Sequence, residues 1–141
     1  MSPLLQRRIV ALGIAALLLY SGQRALGQLP ELLWTKTETP MKEAGLWLSR
    51  YDPGPKRVLD SGTIVSYYSG GTWLPMPWAQ PALTIEYIRN QKPDFVVINL
   101  APPGSRTWNL NQQVDRDPAA KFLHDFGSAS AGGVRLYRWT R

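Results

Sequence analysis

The 141-residue chain contains no cysteine and a single histidine, His124. Disulfides, cysteine-ligated zinc and iron–sulfur sites are therefore excluded, and so is a metal site built from several histidines. Charged residues make up only 18% of the chain and hydrophobic residues 44%, a balance that excludes an intrinsically disordered protein. The 12 glycines and 12 prolines show no period, which excludes collagen-like repeats. The length suits one ordinary domain.

The net charge of +6 is unevenly distributed along the chain. Arg7, Arg8 and Arg24 lie in the first 27 residues, which contain no acidic residue. From Gln28 onward, 13 basic and 10 acidic residues are scattered without a basic run. Because half of the excess of basic over acidic residues belongs to the N-terminal segment, the net charge does not indicate a nucleic-acid partner.

Residues 9–20 form an apolar run that follows Arg7 and Arg8 directly. One interpretation is a signal peptide, with Ala25-Leu26-Gly27 as a small-residue cleavage site. The other is a transmembrane helix over residues 9–26. A buried core helix is disfavoured because the run offers no polar face.

The downstream sequence favours the transmembrane helix, which divides the chain into four parts. These are a cytoplasmic start (1–8), the membrane helix (9–26), an interfacial linker (27–38) and an extracytoplasmic domain (39–141). Under either interpretation positive charge stays in the cytoplasm, so the rest of the chain lies outside it.

Helical and extended patterns alternate after Thr39. Thr39 and Pro40 are typical of a helix start, and the prolines and glycines that follow punctuate the later elements. The sequence predicts helices at 39–51, 63–69, 81–91 and 118–126, with Asp60 or Ser61 as the cap of the second. It predicts strands at 56–60, 72–76 and 94–100, a terminal hairpin or strand over 128–140 that ends in 134–140, and a long polar loop at 101–116. The order predicts a small three-layer α/β domain with a mainly parallel sheet.

No pattern of catalytic residues or metal ligands is found in this domain. His124 has no accompanying nucleophile elbow, and Asp117 is predicted to cap a helix, so no catalytic residue is assigned. No metal site and no cofactor are expected. Two segments could bind a ligand: 67–73, which concentrates aromatic residues beside glycines, and the polar loop 101–116. The predicted substrate or lipid contacts are Tyr67, Tyr68, Trp73, Arg106 and Trp108.

Several segments resemble a known family. Residues 39–48, Thr-Pro-Met-Lys-Glu-Ala-Gly-Leu-Trp-Leu, are similar to the helix that follows the last membrane span of bacterial family 39 glycosyltransferases. These multi-spanning enzymes are related to protein mannosyltransferases and to the aminoarabinose transferase that acts on lipid A. Similar runs follow at 57–60, 67–71, 73–77, 87–88, 93–98 and 133–138 in the family's order.

The resemblance implies a C-terminal periplasmic domain with its last transmembrane helix, in the bacterial inner membrane. The family transfers sugars from polyprenyl-phosphate donors and has its catalytic aspartate in an earlier extracytoplasmic loop that this chain lacks. The expected function is therefore an accessory domain that is not catalytic alone. Its expected partners are the membrane, the multi-spanning part of the enzyme and a lipid-linked sugar. A secreted periplasmic binding module and a small hydrolase are the alternatives.

Overall fold

The computed structural model describes residues 38–140, so the predicted cytoplasmic start and transmembrane helix lie outside the described residues, as does the linker apart from Glu38. The described chain forms a mixed α/β domain with four α-helices and a five-stranded sheet. The elements in chain order are α1 (Glu38–Tyr51), β1 (Arg57–Asp60), α2 (Ile64–Ser69), β2 (Thr72–Pro75), α3 (Pro81–Gln91), β3 (Phe95–Asn99), α4 (Arg106–Asp115), β4 (Ala120–Phe126) and β5 (Val134–Trp139). None of these helices is long and apolar enough to cross a membrane.

The strand order is β2-β1-β3-β5-β4. β1 pairs in parallel with β2 and with β3, whereas β5 pairs antiparallel with β3 and with β4. The sheet is therefore mixed, and the prediction of an α/β domain with a mainly parallel sheet is confirmed in part: β1 to β4 run in one direction, and β5 alone runs against them. The antiparallel pairs arise because β5 follows β4 through a short connection without a crossover helix and lies between β4 and β3.

Two further predictions are corrected in the same region. The loop predicted at 101–116 contains α4, which begins after Ser105, and the Ser105 hydroxyl accepts a hydrogen bond from the Trp108 amide at 3.1 Å. The helix predicted at 118–126 is instead the edge strand β4. Asp117 does not cap a helix: its carboxylate accepts from the Ala119 amide at 3.0 Å, in a turn that leads into β4.

A smaller correction concerns where two helices begin. α1 includes Glu38, so Thr39 lies inside its first turn. α2 begins after Thr63 and not after the predicted caps Asp60 or Ser61. It ends as predicted at Gly70, whose φ of 68° suits glycine.

Two buried clusters place helices on both faces of the sheet, as the three-layer prediction requires. The α1–α2 face buries side chains of α1 and α2 against alternate strand residues, including Val58, Phe95 and Val97. The α3–α4 face buries side chains of α3 and α4 against the intervening strand residues, including Leu59, Val96 and Ile98. The predicted strands imply a sheet core, and this prediction is confirmed because all its members are buried: Val58, Leu59, Phe95, Val96, Val97, Ile98, Val134 and Leu136.

Candidate functional site

The connections after β1 and β3 leave the sheet in opposite directions. β1 leads to α2 on the α1–α2 face, while its neighbour β3 leads to α4 on the α3–α4 face. Two adjacent parallel strands whose connections diverge open a crevice at their carboxyl ends, which is where open α/β sheets bind ligands. We call this end of the sheet, at which the parallel strands β1, β2 and β3 terminate, the carboxyl edge.

A small pocket of about 40 Å³ lies at the carboxyl edge. Asn99 ends β3, Ser61 follows β1, and Arg106 and Thr107 begin α4. The complete lining is Ser61, Met76, Pro77, Trp78, Ile98, Asn99, Arg106, Thr107 and Leu110. A cavity of this size holds water or one functional group, so a larger ligand would extend from its mouth onto the surface.

Arg106 and Trp78 form a stacked pair at this pocket. The guanidinium carbon of Arg106 lies 3.6 Å from the centroid of the Trp78 ring, within cation–π range. The same guanidinium donates a hydrogen bond to the Ala79 carbonyl. Trp78 is 87% exposed, so its ring supports the cation from a position open to solvent.

Asp60 lies fully buried at the end of β1. One carboxyl oxygen is 3.5 Å from the Ser61 hydroxyl, and the other has no hydrogen-bond partner. Burial raises the pKa of Asp60 from its ordinary value of 3.8 to about 6, against the opposing effect of the nearby amides of Gly62, Ser61 and Val65. Unpaired buried polar atoms cluster at this edge, because Asn99 Oδ1 and Arg106 Nε also lack partners.

We expect Asp60 to make stability depend on pH. Because the folded state binds this proton more tightly than the unfolded chain, its contribution to stability is lost as pH rises from about 4 through 6. Asp60→Asn removes the buried charge, so the variant should be more stable than the parent above pH 7, by up to about 3 kcal/mol. Urea unfolding of both proteins from pH 4 to 8 checks this. A stability difference that does not change with pH would contradict the expectation.

The structure brings only part of the predicted contact set to this pocket. Arg106 lines it, and Trp73 lies beside it, donating from Nε1 to the Asp60 carbonyl at 3.2 Å. Tyr67 and Tyr68 stack edge to face on α2 and do not line it, and the half-buried Trp108 does not either. Sequence reasoning missed Trp78, Asp60 and Asn99. The polar residues that end two apolar strands were the available signal for Asp60 and Asn99.

A wider depression of about 440 Å³ opens at the opposite edge, beside Arg89, Lys92 and Asp117. Arg89 donates to Asp117 at 2.7 Å, and the second oxygen of Asp117 accepts from Ala119. Since Arg89 and Asp117 already pair with each other, we favour the smaller pocket with its unpaired atoms as the candidate site.

The hydrolase alternative finds no support in the described residues. His124 lies on β4 and not on a helix, and its ring contacts are with Phe126 and Trp47 at centroid distances of 4.6 and 6.0 Å. Within residues 38–140 no cluster of three or more His, Asp or Glu side chains is placed to hold a metal ion.

Comparisons with protein-family models, with curated proteins and with solved structures give no match to this chain.

Proposed function

We propose that this chain is a membrane-anchored, extracytoplasmic domain that belongs to, or assists, a glycosyltransferase using a polyprenyl-phosphate-linked sugar. In this proposal the chain sits in a bacterial inner membrane, with its bulk in the periplasm. It binds and orients and does not catalyse transfer by itself.

The observation that carries the proposal is the make-up of the pocket at the carboxyl edge. Met76, Pro77 and Ile98 come from the segments on which the family resemblance rests, and they line this pocket together with Arg106. A guanidinium is a strong partner for phosphate oxygens, and an exposed indole is a good surface for a sugar ring. A lipid-linked sugar phosphate offers both groups.

The aspartates of the described domain support a non-catalytic role, because most already serve the fold. Asp117 pairs with Arg89, and Asp115 and Asp125 both pair with Arg135. Asp94 accepts from the Arg57 amide at 2.8 Å, and Asp52 accepts from the Gly54 amide at 3.1 Å. Asp60 is buried behind the pocket and is not among the residues that line it.

Arg106→Ala should lower sugar transfer. In membranes from host cells that lack the gene and are supplied with the variant, we expect transfer to fall about tenfold, as for loss of a hydrogen bond to a charged group. Arg138→Ala is the matched control. Arg138 is exposed on β5, where it pairs with Phe95 at the start of β3, and so lies at the opposite end of the sheet from the pocket. Equal transfer by both variants, with both folded, would remove the pocket from the mechanism.

The anchor is expected to remain attached to the mature protein. The apolar run and the linker-like segment after it favour retention of residues 1–27. Intact-mass analysis of the protein purified from membranes checks this. A mature chain beginning at Gln28 would contradict the anchor and favour the secreted binding module.

A further inference from the structure

The chain enters the described domain at the carboxyl edge. Pro40, in the first turn of α1, is so close to the β4–β5 connection that a Cβ on Gly127 would lie 2.9 Å from Pro40 Cγ. That connection leads into β5, whose first residue, Val134, pairs with Asn99 at the end of β3. At the other end of α1, the Tyr51 ring lies 6.3 Å from that of Phe95, at the start of β3. α1 therefore runs from the carboxyl edge toward the opposite edge.

Apolar side chains project into solvent from the same edge. Trp78 is 87% exposed, the highest value among the large hydrophobic residues of the described domain. Leu83, in the first turn of α3, is 59% exposed. Arg106 adds a positive charge directly against the Trp78 ring.

From these placements we infer that the carboxyl edge is a membrane-docking surface, on which Trp78 and Leu83 enter the headgroup region of the bilayer while Arg106 binds a lipid phosphate. Tryptophan concentrates at membrane interfaces because its ring is apolar and its N–H is polar. A basic side chain beside it gains energy from anionic lipids. The inference deepens the proposed function and rests on its membrane anchor.

The position of the anchor in the sequence favours a bilayer over other occupants of this surface. If residues 9–26 cross the membrane, residues 27–37 connect the bilayer to the edge at which α1 begins. Eleven residues reach at most about 40 Å when fully extended. In this proposal the anchor is therefore joined to the edge that carries Trp78, Leu83 and Arg106, and its tether is long enough for that edge to reach the bilayer.

The absence of cysteine from the chain allows a direct test by site-specific labelling. Gln80→Cys, beside Trp78 at the carboxyl edge, and Lys121→Cys, at the opposite end of the sheet, each receive a fluorophore in the full-length chain. Both chains are reconstituted into phosphatidylcholine–phosphatidylglycerol vesicles that contain a headgroup nitroxide quencher. We expect strong quenching at position 80 and weak quenching at position 121.

Two variants of the Gln80→Cys chain test whether Arg106 contributes to docking. Arg106→Ala should shift the ratio of docked to undocked domain about fivefold toward the undocked form. Arg138→Ala should leave quenching unchanged. Circular dichroism of each variant verifies that the domain is folded.

The outcomes separate the docking surface from the anchor. Equal quenching at positions 80 and 121, in chains that float with the vesicles, would overturn the docking surface and leave the anchor intact. A protein would then be the favoured partner for this edge. Chains that fail to float would overturn the anchor and the docking surface together.

Discussion

Val96→Asp is expected to leave the domain unfolded at 25 °C. Val96 is fully buried at the centre of the sheet, where it pairs with Leu59 on one side and with Tyr137 on the other. Its side chain packs in the cluster on the α3–α4 face. A carboxylate there has no partner, and an unpaired buried charge costs several kcal/mol. That cost is comparable to the whole stability of a domain, about 5–15 kcal/mol.

Thr72→Asp is the matched control for this substitution. It places the same carboxylate on a strand of the same sheet, but at an exposed position of the edge strand β2. We expect it to lower stability by about 1 kcal/mol or less. Thermal unfolding followed by circular dichroism compares the two. A melting temperature for Val96→Asp equal to that of the parent would contradict the placement of β3 at the centre of the sheet.

Gly133→Ala is expected to destabilise the domain by about 3 kcal/mol, because the added methyl group meets backbone that cannot move independently. A Cβ at this position would lie 2.6 Å from the Ser128 amide nitrogen and 2.7 Å from the Phe126 carbonyl oxygen. Gly133 also donates to the Ser128 carbonyl and accepts from the Leu100 amide, both at 2.7 Å, which ties the β4–β5 turn to the end of β3.

The control for this glycine is Gly62→Ala. A Cβ at Gly62 meets no atom within 4 Å. We therefore expect no loss of stability and a small gain, up to about 1 kcal/mol, from the reduced entropy of the unfolded chain. Urea unfolding of the two variants measures the difference. Equal stabilities would mean that the turn after β4 differs from the one described.

The elements that the sequence predicts well are those whose local signals agree with their burial. β3 is an uninterrupted apolar strand covered on both faces, a pattern that a buried strand produces and a surface helix of that length does not. α3 lies between Pro81 and the Lys92-Pro93 break, so its bounds follow from proline chemistry.

The two elements predicted wrongly carry conflicting signals. α4 is mostly polar and buries only Leu110, Asn111 and Val114, so its periodicity resembles that of a solvated loop. Asp117-Pro118 has the form of a helix start, but the Asp117 carboxylate pairs with Arg89 and shapes a turn. In both places tertiary contacts decide between local alternatives that the sequence leaves nearly equal.

Only part of the candidate site was predictable, because its residues come from segments that are distant in sequence. Arg106 stood out as a cation in a polar segment, but its aromatic partner Trp78 lies 28 positions away in sequence, on a different connection. Only the divergence of the β1 and β3 connections brings these two residues to one pocket. The sequence predicts Asp60 only as the end of a strand and a possible helix cap, because burial and a missing hydrogen-bond partner are properties of the fold and not of the residue's neighbours in sequence.

Sugar transfer from a labelled polyprenyl-phosphate donor, measured in membranes of the host bacterium with and without this gene, tests the central proposal most directly. The proposal predicts that transfer falls when the gene is deleted, that the full-length chain restores it, and that the purified chain alone transfers no sugar. Undiminished transfer in the deletion membranes would contradict an assisting role. Turnover by the purified chain that is abolished by changing a single aspartate would contradict the non-catalytic role.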